Sequence, residues 1–382
     1  MQVPGFKGVR GFGLSVSVLV GLLIAAPVAP LAQVAAPTAA PAAASLPARL
    51  SDADYWKLAT DISEPGGYFR ITDNYTSNEG EVGQLVATLR ERGNTGGVYV
   101  GVGPEQNFSY IAATRPAMAF VIDIRRQAVM QHLMFKAMFE LAKDRADFLS
   151  LLFAKARPQG LDTTTPIQKM WEAYFAVVTD RDMAATIRTR VVKHLTETHK
   201  FTFTADEQAQ LDSVLAAFVQ FGPGISTRGT TNAGGGGNAL TFADLTGWSV
   251  DGMGRPQSFM STEENFQIVK ALHDKNLIVA VSGDFGGPKA LREIGAYIRA
   301  HGSTLSAFYV SNVEQYLFMD GKQQAFFDNV ASMPLTDTSV FIRPYVMRRF
   351  GAAPALCGIR GFLKSVQAGR IFSNNEALAC GG

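Results

Sequence analysis

Cysteine is scarce in this chain of 382 residues, which contains only two. Two thiols cannot build a zinc ribbon, an iron–sulfur cluster or a disulfide-dense scaffold. The chain also lacks an excess of charge of either sign. The first 50 residues hold three of the 35 basic side chains and none of the 33 acidic ones, which leaves 32 against 33 in the remainder. A body this close to neutral gives no electrostatic footprint for nucleic acid.

Several catalytic motifs are missing as well. The sequence has no His-Glu-x-x-His and no Gly-x-Ser-x-Gly, which argues against a zinc hydrolase and a nucleophile-elbow hydrolase. The five histidines show no ligand spacing, and His194 and His199, five apart, are not expected to share a helix face. Residues 222–237 end in a four-glycine run without the Gly-Lys-Ser/Thr of a phosphate loop, so we predict a flexible loop there.

The first 48 residues have the composition of a targeting segment followed by a linker. Residues 1–32 run from basic to apolar to small side chains, the order of a cleaved secretory signal peptide. An uncleaved membrane anchor is the alternative, although the apolar run is short for a span. No Cys follows that run, which argues against a lipoprotein. Residues 33–48 are rich in Ala and Pro and predict an exposed linker. We therefore expect an exported protein, periplasmic, secreted or on the cell surface, with no stable membrane span after signal cleavage.

Export places Cys357 and Cys380 in a compartment where disulfides persist. A bond between them would staple the C-terminal tail and have no catalytic role. The alternative is two free thiols.

The body, residues 49–382, has ample material for a core, with 47% hydrophobic residues and 26 Phe. Short apolar runs read as strands at 98–100, 117–124, 276–281, 305–310 and 339–343. They alternate with amphipathic helices over 81–143 and again from 276 to 343. Residues 144–275 between them read as a mostly helical insertion, in which Trp171, Tyr174 and Phe175 are interpreted as core. We predict an α/β fold, a parallel sheet covered by helices on both faces.

The strongest constellation joins two strand ends of this sheet. Gly101 and Gly103 follow the strand at 98–100, and Asp123 stands near the end of the next strand, twenty residues later. Glycines let a ligand approach the backbone, the following helix presents free N–H groups, and the acid can accept ribose hydroxyls. The pattern favours a nucleoside-type crevice. The alternative is a glycine turn that serves packing alone.

In this arrangement the chain resembles the class I S-adenosylmethionine-dependent methyltransferases, a Rossmann-like family. The resemblance implies that Gly101, Gly103 and Asp123 bind S-adenosylmethionine. It implies a place near the adenine for Asp284, which ends the third strand and precedes Phe285. It places the catalytic loop after the fourth strand, where Asn312 and Glu314 would position a small acceptor or remove its proton.

Two departures from the family pattern matter. Tyr99 stands where the family usually has an acid, and Glu105 replaces the third glycine. A carboxylate at the mouth of the crevice would either pair with a sulfonium or amino group or block the ligand.

The chain is more closely similar to a family of exported bacterial proteins that have a methyltransferase-like fold and include a leptospiral surface protein. This resemblance covers most of the mature chain and implies the fold and the export, but no reaction. It rests on the stretches 66–70, 77–79, 99–110, 123–126, 283–285 and 311–316.

Two further groups have two interpretations each. Asp73, Asn78 and Glu79 precede a predicted helix and either line the crevice or cap that helix. Arg125 and Arg126 are interpreted as a solvated helix start or an anion site, since the nicotinamide pattern fails at Gln106.

Two functions remain open at this stage. The first is an exported protein whose pocket binds a nucleoside-like or other small ligand, without established catalysis. The second is an active methyltransferase. The compartment favours the first, because S-adenosylmethionine is made in the cytosol. A small-molecule ligand and no nucleic acid are expected in either case, and the sequence does not identify a protein partner.

Overall fold

The computed structural model describes residues 45–69, 74–80, 82–93, 95–227, 240–343 and 356–380. The predictions for the signal peptide, for most of the linker and for Asp73 fall outside these residues. The described part is built on six strands: β1 Val98–Gly101, β2 Met118–Asp123, β3 Ile278–Ser282, β4 Leu305–Tyr309, β5 Leu335–Ile342 and β6 Leu356–Gly358.

The six strands form one sheet in the order β3-β2-β1-β4-β5-β6. All neighbouring pairs are parallel except β5 and β6, which are antiparallel. The prediction of a parallel sheet therefore holds for five strands and misses the sixth. That strand has three residues at the sheet edge, too few to produce a readable apolar run. An antiparallel edge strand on an otherwise parallel sheet is common in α/β folds.

Helices cover the sheet and make up the region between β2 and β3. The described residues contain fifteen α-helices: α1 Asp52–Ile62, α2 Val82–Arg92, α3 Gln106–Thr114, α4 Arg126–Leu141, α5 Arg145–Phe153, α6 Ile167–Ala176, α7 Arg181–Lys193, α8 Ala205–Phe221, α9 Phe242–Gly247, α10 Glu263–Asp274, α11 Ala290–Ala300, α12 Val313–Met319, α13 Gln323–Ala331, α14 Ile359–Gln367 and α15 Asn374–Leu378.

Three of the six strands are buried along their whole length. Every residue of β1, β2 and β3 is buried. This is why they read as continuous apolar runs in the sequence, since both faces of the sheet meet helices. Phe108 on α3 is the centre of an aromatic cluster with Phe135 and Phe139 on α4 and Phe259, at ring separations of 5.2–5.4 Å.

The helical insertion shares this core. Phe218 on α8 packs against Phe135 at 5.6 Å, and Trp171 on α6 packs against Phe153 at 6.0 Å. Trp171 and Tyr174 are buried, as predicted, whereas Phe175 is 53% exposed. The prediction was wrong for Phe175, because this side chain lies on the outer face of the amphipathic helix α6. The described residues belong to one compact unit that extends from Ala43 to Gly382.

A π-helical turn, His194–Thr198, continues α7. Its defining bond runs from the backbone N–H of His199 to the carbonyl of His194, five residues back, at 3.1 Å. A π turn brings residues i and i+5 over one another. The expectation that His194 and His199 point to different faces was therefore wrong, because it assumed α-helical periodicity.

At the C-terminal end, Cys357 and Cys380 form a disulfide with a Cα–Cα distance of 5.8 Å. The bond ties β6 to the segment after α15. Of the predicted flexible loop, residues 222–227 are described, and Gly222–Gly224 form a 3₁₀ turn. Within the described ranges, no helix combines the length and the apolar character that a membrane span requires.

Candidate functional site

A cavity of about 380 Å³ lies at the carboxyl ends of four neighbouring strands, β3, β2, β1 and β4. Its walls include the segments that follow β1, β2, β3 and β4, at residues 102–104, 123–125, 283–285 and 311–313. The sheet order reverses between β1 and β4, and the crevice at such a reversal is where open α/β sheets bind ligands. The cavity volume is typical of small-molecule sites.

The structure brings most of the predicted site residues to this cavity, but not all of them. Six line its wall: Asn78, Gly103, Asp123, Asp284, Phe285 and Asn312. Four others lie beneath the wall or away from it: Glu79, Gly101, Glu105 and Glu314.

The two glycines of the first loop have different roles. A Cβ on Gly101 would lie 1.9 Å from Asn107 Oδ1, so this glycine makes room for a side chain of the protein. Asn107 accepts a hydrogen bond from the Tyr99 hydroxyl at 2.9 Å and donates to the carbonyls of residues 102–104. Gly103 lines the cavity with φ of +74° and open space at its Cβ position. The ligand-approach interpretation thus fits Gly103, whereas Gly101 serves packing.

Asp123 lines the cavity, but its carboxylate already accepts hydrogen bonds from Arg125. Arg125 donates to it from the backbone N–H at 2.9 Å, from Nε at 3.2 Å and from Nη2 at 3.0 Å. Both side chains are buried. Arg126 pairs with Glu207 at 2.6 Å. The expectation of a solvated helix start was therefore wrong, because both arginines find a carboxylate within reach.

Asp284 and Phe285 form the wall after β3. Asp284 accepts from the backbone N–H of Gly286 at 2.9 Å and from Lys322 Nζ at 2.7 Å. Phe285 stacks on Phe326 at 5.5 Å, so its ring is mostly core. Lys322 at the rim of the cavity therefore occupies one carboxylate oxygen of Asp284, the residue expected near the adenine.

Glu105 is buried below the first loop, not at the mouth of the crevice. Both of its carboxylate oxygens accept from the backbone N–H of Ser77, at 3.1 and 3.2 Å. Burial raises the pKa of Glu105 to about 8, a rise that the Ser77 bond opposes and the nearby Glu79 carboxylate supports. A carboxyl group with this pKa is mostly protonated at neutral pH, so it neither pairs with a cation at the mouth nor blocks entry.

Glu79 is the second buried acid under the cavity. It accepts hydrogen bonds from the Tyr309 hydroxyl at 2.7 Å and from Ser311 Oγ. Burial raises the pKa of Glu79, and those two bonds offset part of the rise. Ser311 lines the cavity in the left-handed region, with φ of +48°. Strained backbone and perturbed acids cluster at functional sites more often than elsewhere.

The two side chains that were predicted to be catalytic lie in different environments. Asn312 lies exposed in the cavity wall, just before α12. Glu314 is buried and accepts from Arg343 Nε at 2.6 Å and from Nη2 at 2.9 Å. The Arg343 guanidinium carbon lies 4.6 Å from the ring centroid of Phe341 and 4.7 Å from that of Phe362. Glu314 is thus a partner in a buried ion pair.

Sequence reasoning missed the aromatic rim of the cavity. Tyr68, Phe69, Tyr316 and Met319 line it, and Phe69 meets Tyr316 edge to face at 4.9 Å. Tyr68 is 82% exposed and Met319 63% exposed. An available signal was the pair of adjacent aromatics in the otherwise polar, glycine-containing segment before α2. Exposed apolar side chains at the mouth of a cavity are a mark of binding sites.

The fold and this cavity define a class: α/β proteins with a mostly parallel sheet and a cavity where the strand order reverses. The chain belongs to the family described as a domain of unknown function, DUF7790, whose sequence profile matches residues 75–210 and 249–374. No curated protein sequence matches the chain.

Proposed function

We propose that this protein is an exported small-molecule binding protein whose ligand is nucleoside-like and occupies the cavity above β1–β4. The observation that supports the proposal most strongly is the convergence of four strand-end loops on one cavity of about 380 Å³. That volume suits a nucleoside or a ligand of similar size, and the position matches the crevice that α/β sheets use.

The lining suits a planar, neutral or cationic ligand. Tyr68, Phe69 and Tyr316 offer aromatic surface at the mouth for a base. The lining has three carboxylates, Asp123, Asp284 and Asp320, against two basic side chains, Arg125 and Lys322. Such a balance disfavours a ligand with several negative charges.

Export forms part of the proposal. It rests on the order of basic, apolar and small residues over 1–32 and on the disulfide between Cys357 and Cys380. Disulfides persist in oxidising compartments and are rare in the cytosol.

An S-adenosylmethionine-dependent methyltransferase is the second candidate. Asn312 favours it, because this side chain lines the cavity beside the loop after β4. Glu314 and Asp123 weigh against it, since one is paired with Arg343 away from the cavity and the other with Arg125. In this proposal the residues at hand bind and orient a ligand, and no proton-transfer step is assigned to them.

Calorimetric titration of the purified protein with S-adenosylmethionine, S-adenosylhomocysteine and adenosine tests the proposal. We expect at least one of them to bind and Tyr316→Ala to weaken it at least tenfold. Phe175→Ala is the matched control, an exposed aromatic on α6 outside the cavity. Asp123→Ala is a poor probe, because it leaves Arg125 buried without its carboxylate.

The proposal fails if folded wild-type protein binds none of the three compounds at millimolar concentration. Equal losses in Tyr316→Ala and Phe175→Ala would move the binding site away from this cavity. Methyl transfer from the bound cofactor to any small acceptor would decide for the second candidate.

A further inference from the structure

A second cluster of functional side chains lies far from the cavity. Glu140 stands near the C-terminal end of α4, and His194 and His199 flank the π turn after α7. Glu140 is fourteen residues beyond Arg126, the first residue of α4 beside the cavity. At ~1.5 Å per residue this separation is about 21 Å along the helix. The cluster is therefore independent of the proposed ligand site.

The three side chains converge on one point. Glu140 Oε2 lies 2.7 Å from His194 Nε2 and 2.7 Å from His199 Nε2. The two Nε2 atoms are 3.3 Å apart, and the imidazole planes are almost perpendicular, at 89°. Two Zn–N bonds of about 2.05 Å at the tetrahedral angle place their nitrogens about 3.3 Å apart, which the pair matches. To take a third corner of the same tetrahedron, the carboxylate oxygen would have to withdraw by roughly 0.8 Å.

The outer partners of these ligands are also in place. His199 Nδ1 lies 2.7 Å from Asp52 Oδ1, and Asp52 also accepts from Asn276 Nδ2 at 2.8 Å. A carboxylate on Nδ1 fixes the tautomer in which the Nε2 lone pair is available to a metal, an arrangement typical of metal-bound histidine. Lys136 donates to the other oxygen of Glu140 at 2.6 Å and leaves Oε2 for the centre of the cluster.

Without a metal ion, hydrogen bonds alone explain these three contacts only if His199 is doubly protonated and positively charged. Both Nε2 atoms must then donate to a single oxygen, and His199 must also donate from Nδ1 to Asp52. A divalent cation at this point would replace both Nε2 protons: His199 would release one and keep its Nδ1–H, whereas a neutral His194 would carry its proton on Nδ1 instead.

We propose that Glu140, His194 and His199 bind one divalent transition-metal ion, with Zn²⁺ the best match to two imidazoles and a carboxylate. His194 keeps 19% of its side chain exposed, which gives the ion a route from the surface. Bound there, the ion would join the end of α7 to α4 and, through Asp52, to the start of α1. Its role is to stabilise this junction.

The test uses the whole chain, free of affinity tags and stripped with EDTA, and titrates it with ZnCl₂ and separately with CoCl₂. We expect one equivalent of Zn²⁺ to bind, the melting temperature to rise, and Co²⁺ to give the visible absorption of a tetrahedral site with nitrogen ligands. His194→Gln, the more exposed ligand, should remove these responses, and Asp52→Asn should weaken affinity 10–100-fold.

His301→Gln is the matched control, because His301 is a partly buried histidine at the end of α11 that bonds to the carbonyl of Tyr297. It should bind Zn²⁺ like the wild type. The proposal is wrong if folded wild-type protein takes up no stoichiometric Zn²⁺, which would leave a purely hydrogen-bonded cluster. It is equally wrong if His194→Gln, shown to be folded by circular dichroism, binds as tightly as the His301→Gln control.

Discussion

The buried pair of Glu314 and Arg343 gives the sharpest prediction, because two roles for Glu314 lead to opposite results. In the structure the carboxylate and the guanidinium share two hydrogen bonds, and both side chains are almost fully buried, at 2% and 1% exposed. The rings of Phe341 and Phe362 pack against the guanidinium and Arg343 is buried, so the charge has no ready route to water when its partner is lost.

Replacing Glu314 with Gln keeps the volume and removes the charge. We expect the free energy of unfolding to fall by about 3–5 kcal/mol, the usual result of leaving one member of a buried ion pair without its partner. The double variant Glu314→Leu with Arg343→Met should recover most of this loss, because replacing both charges by apolar groups of similar size is often neutral.

Urea unfolding monitored by circular dichroism measures these differences. The matched control is Asp337→Asn, which removes an acid from an exposed pair with Arg360. Exposed pairs contribute ~1 kcal/mol or less, so this control should unfold near the wild-type midpoint. The reasoning is refuted if Glu314→Gln is as stable as the control. Loss of ligand binding in a variant of unchanged stability would return Glu314 to the site.

Two further predictions concern the disulfide and the buried acids. Reduction of the bond between Cys357 and Cys380, or Cys380→Ser, should lower the free energy of unfolding by about 3 kcal/mol, since the bond closes a loop of some two dozen residues; urea midpoints with and without dithiothreitol measure this, and equal midpoints would contradict it. Because burial raises the pKa of Glu105 to about 8, the folded state holds a proton that the unfolded state releases near its ordinary pKa of 4.5. Stability should therefore fall as pH rises from 4.5 to about 8, by up to ~1.4 kcal/mol per pH unit, and then level off. Glu105→Gln should flatten this slope, apart from the contribution of Glu79, whereas Glu172→Gln at the surface should not; identical slopes in both variants would contradict the assignment.

The alternation of apolar runs and helices was sufficient to predict five of the six strands. β2 is an example: it was predicted over 117–124 and is found at Met118–Asp123, because a strand buried on both faces is apolar throughout. β5 was predicted over 339–343 but begins earlier, at Leu335, since its first half is partly exposed and polar. The amphipathic helix α14 was not predicted, because it lies beyond the last predicted strand and follows the unpredicted β6.

The part of the candidate site that depends on the position of loops in the fold could be predicted from the sequence. The part that depends on which side chains pair with one another could not. The loops after the strands meet because parallel strands end at one edge, which the sequence pattern conveys. Nothing in the pattern shows that Arg125 folds back on Asp123, or that Arg343, 29 residues after Glu314, reaches it. The histidine pair was missed for a related reason: a single π turn alters the periodicity on which the prediction relied.

The two pairing partners of β1 determine how late in synthesis the cavity can be completed. Val98 in β1 pairs with Met118, which follows soon after it, but on its other side with Leu305, more than 200 residues later. Half of the cavity wall comes from the chain beyond β3. The crevice therefore stays incomplete until the segments after β3 and β4 have been synthesised, and contacts between residues this far apart in the chain are slow to form.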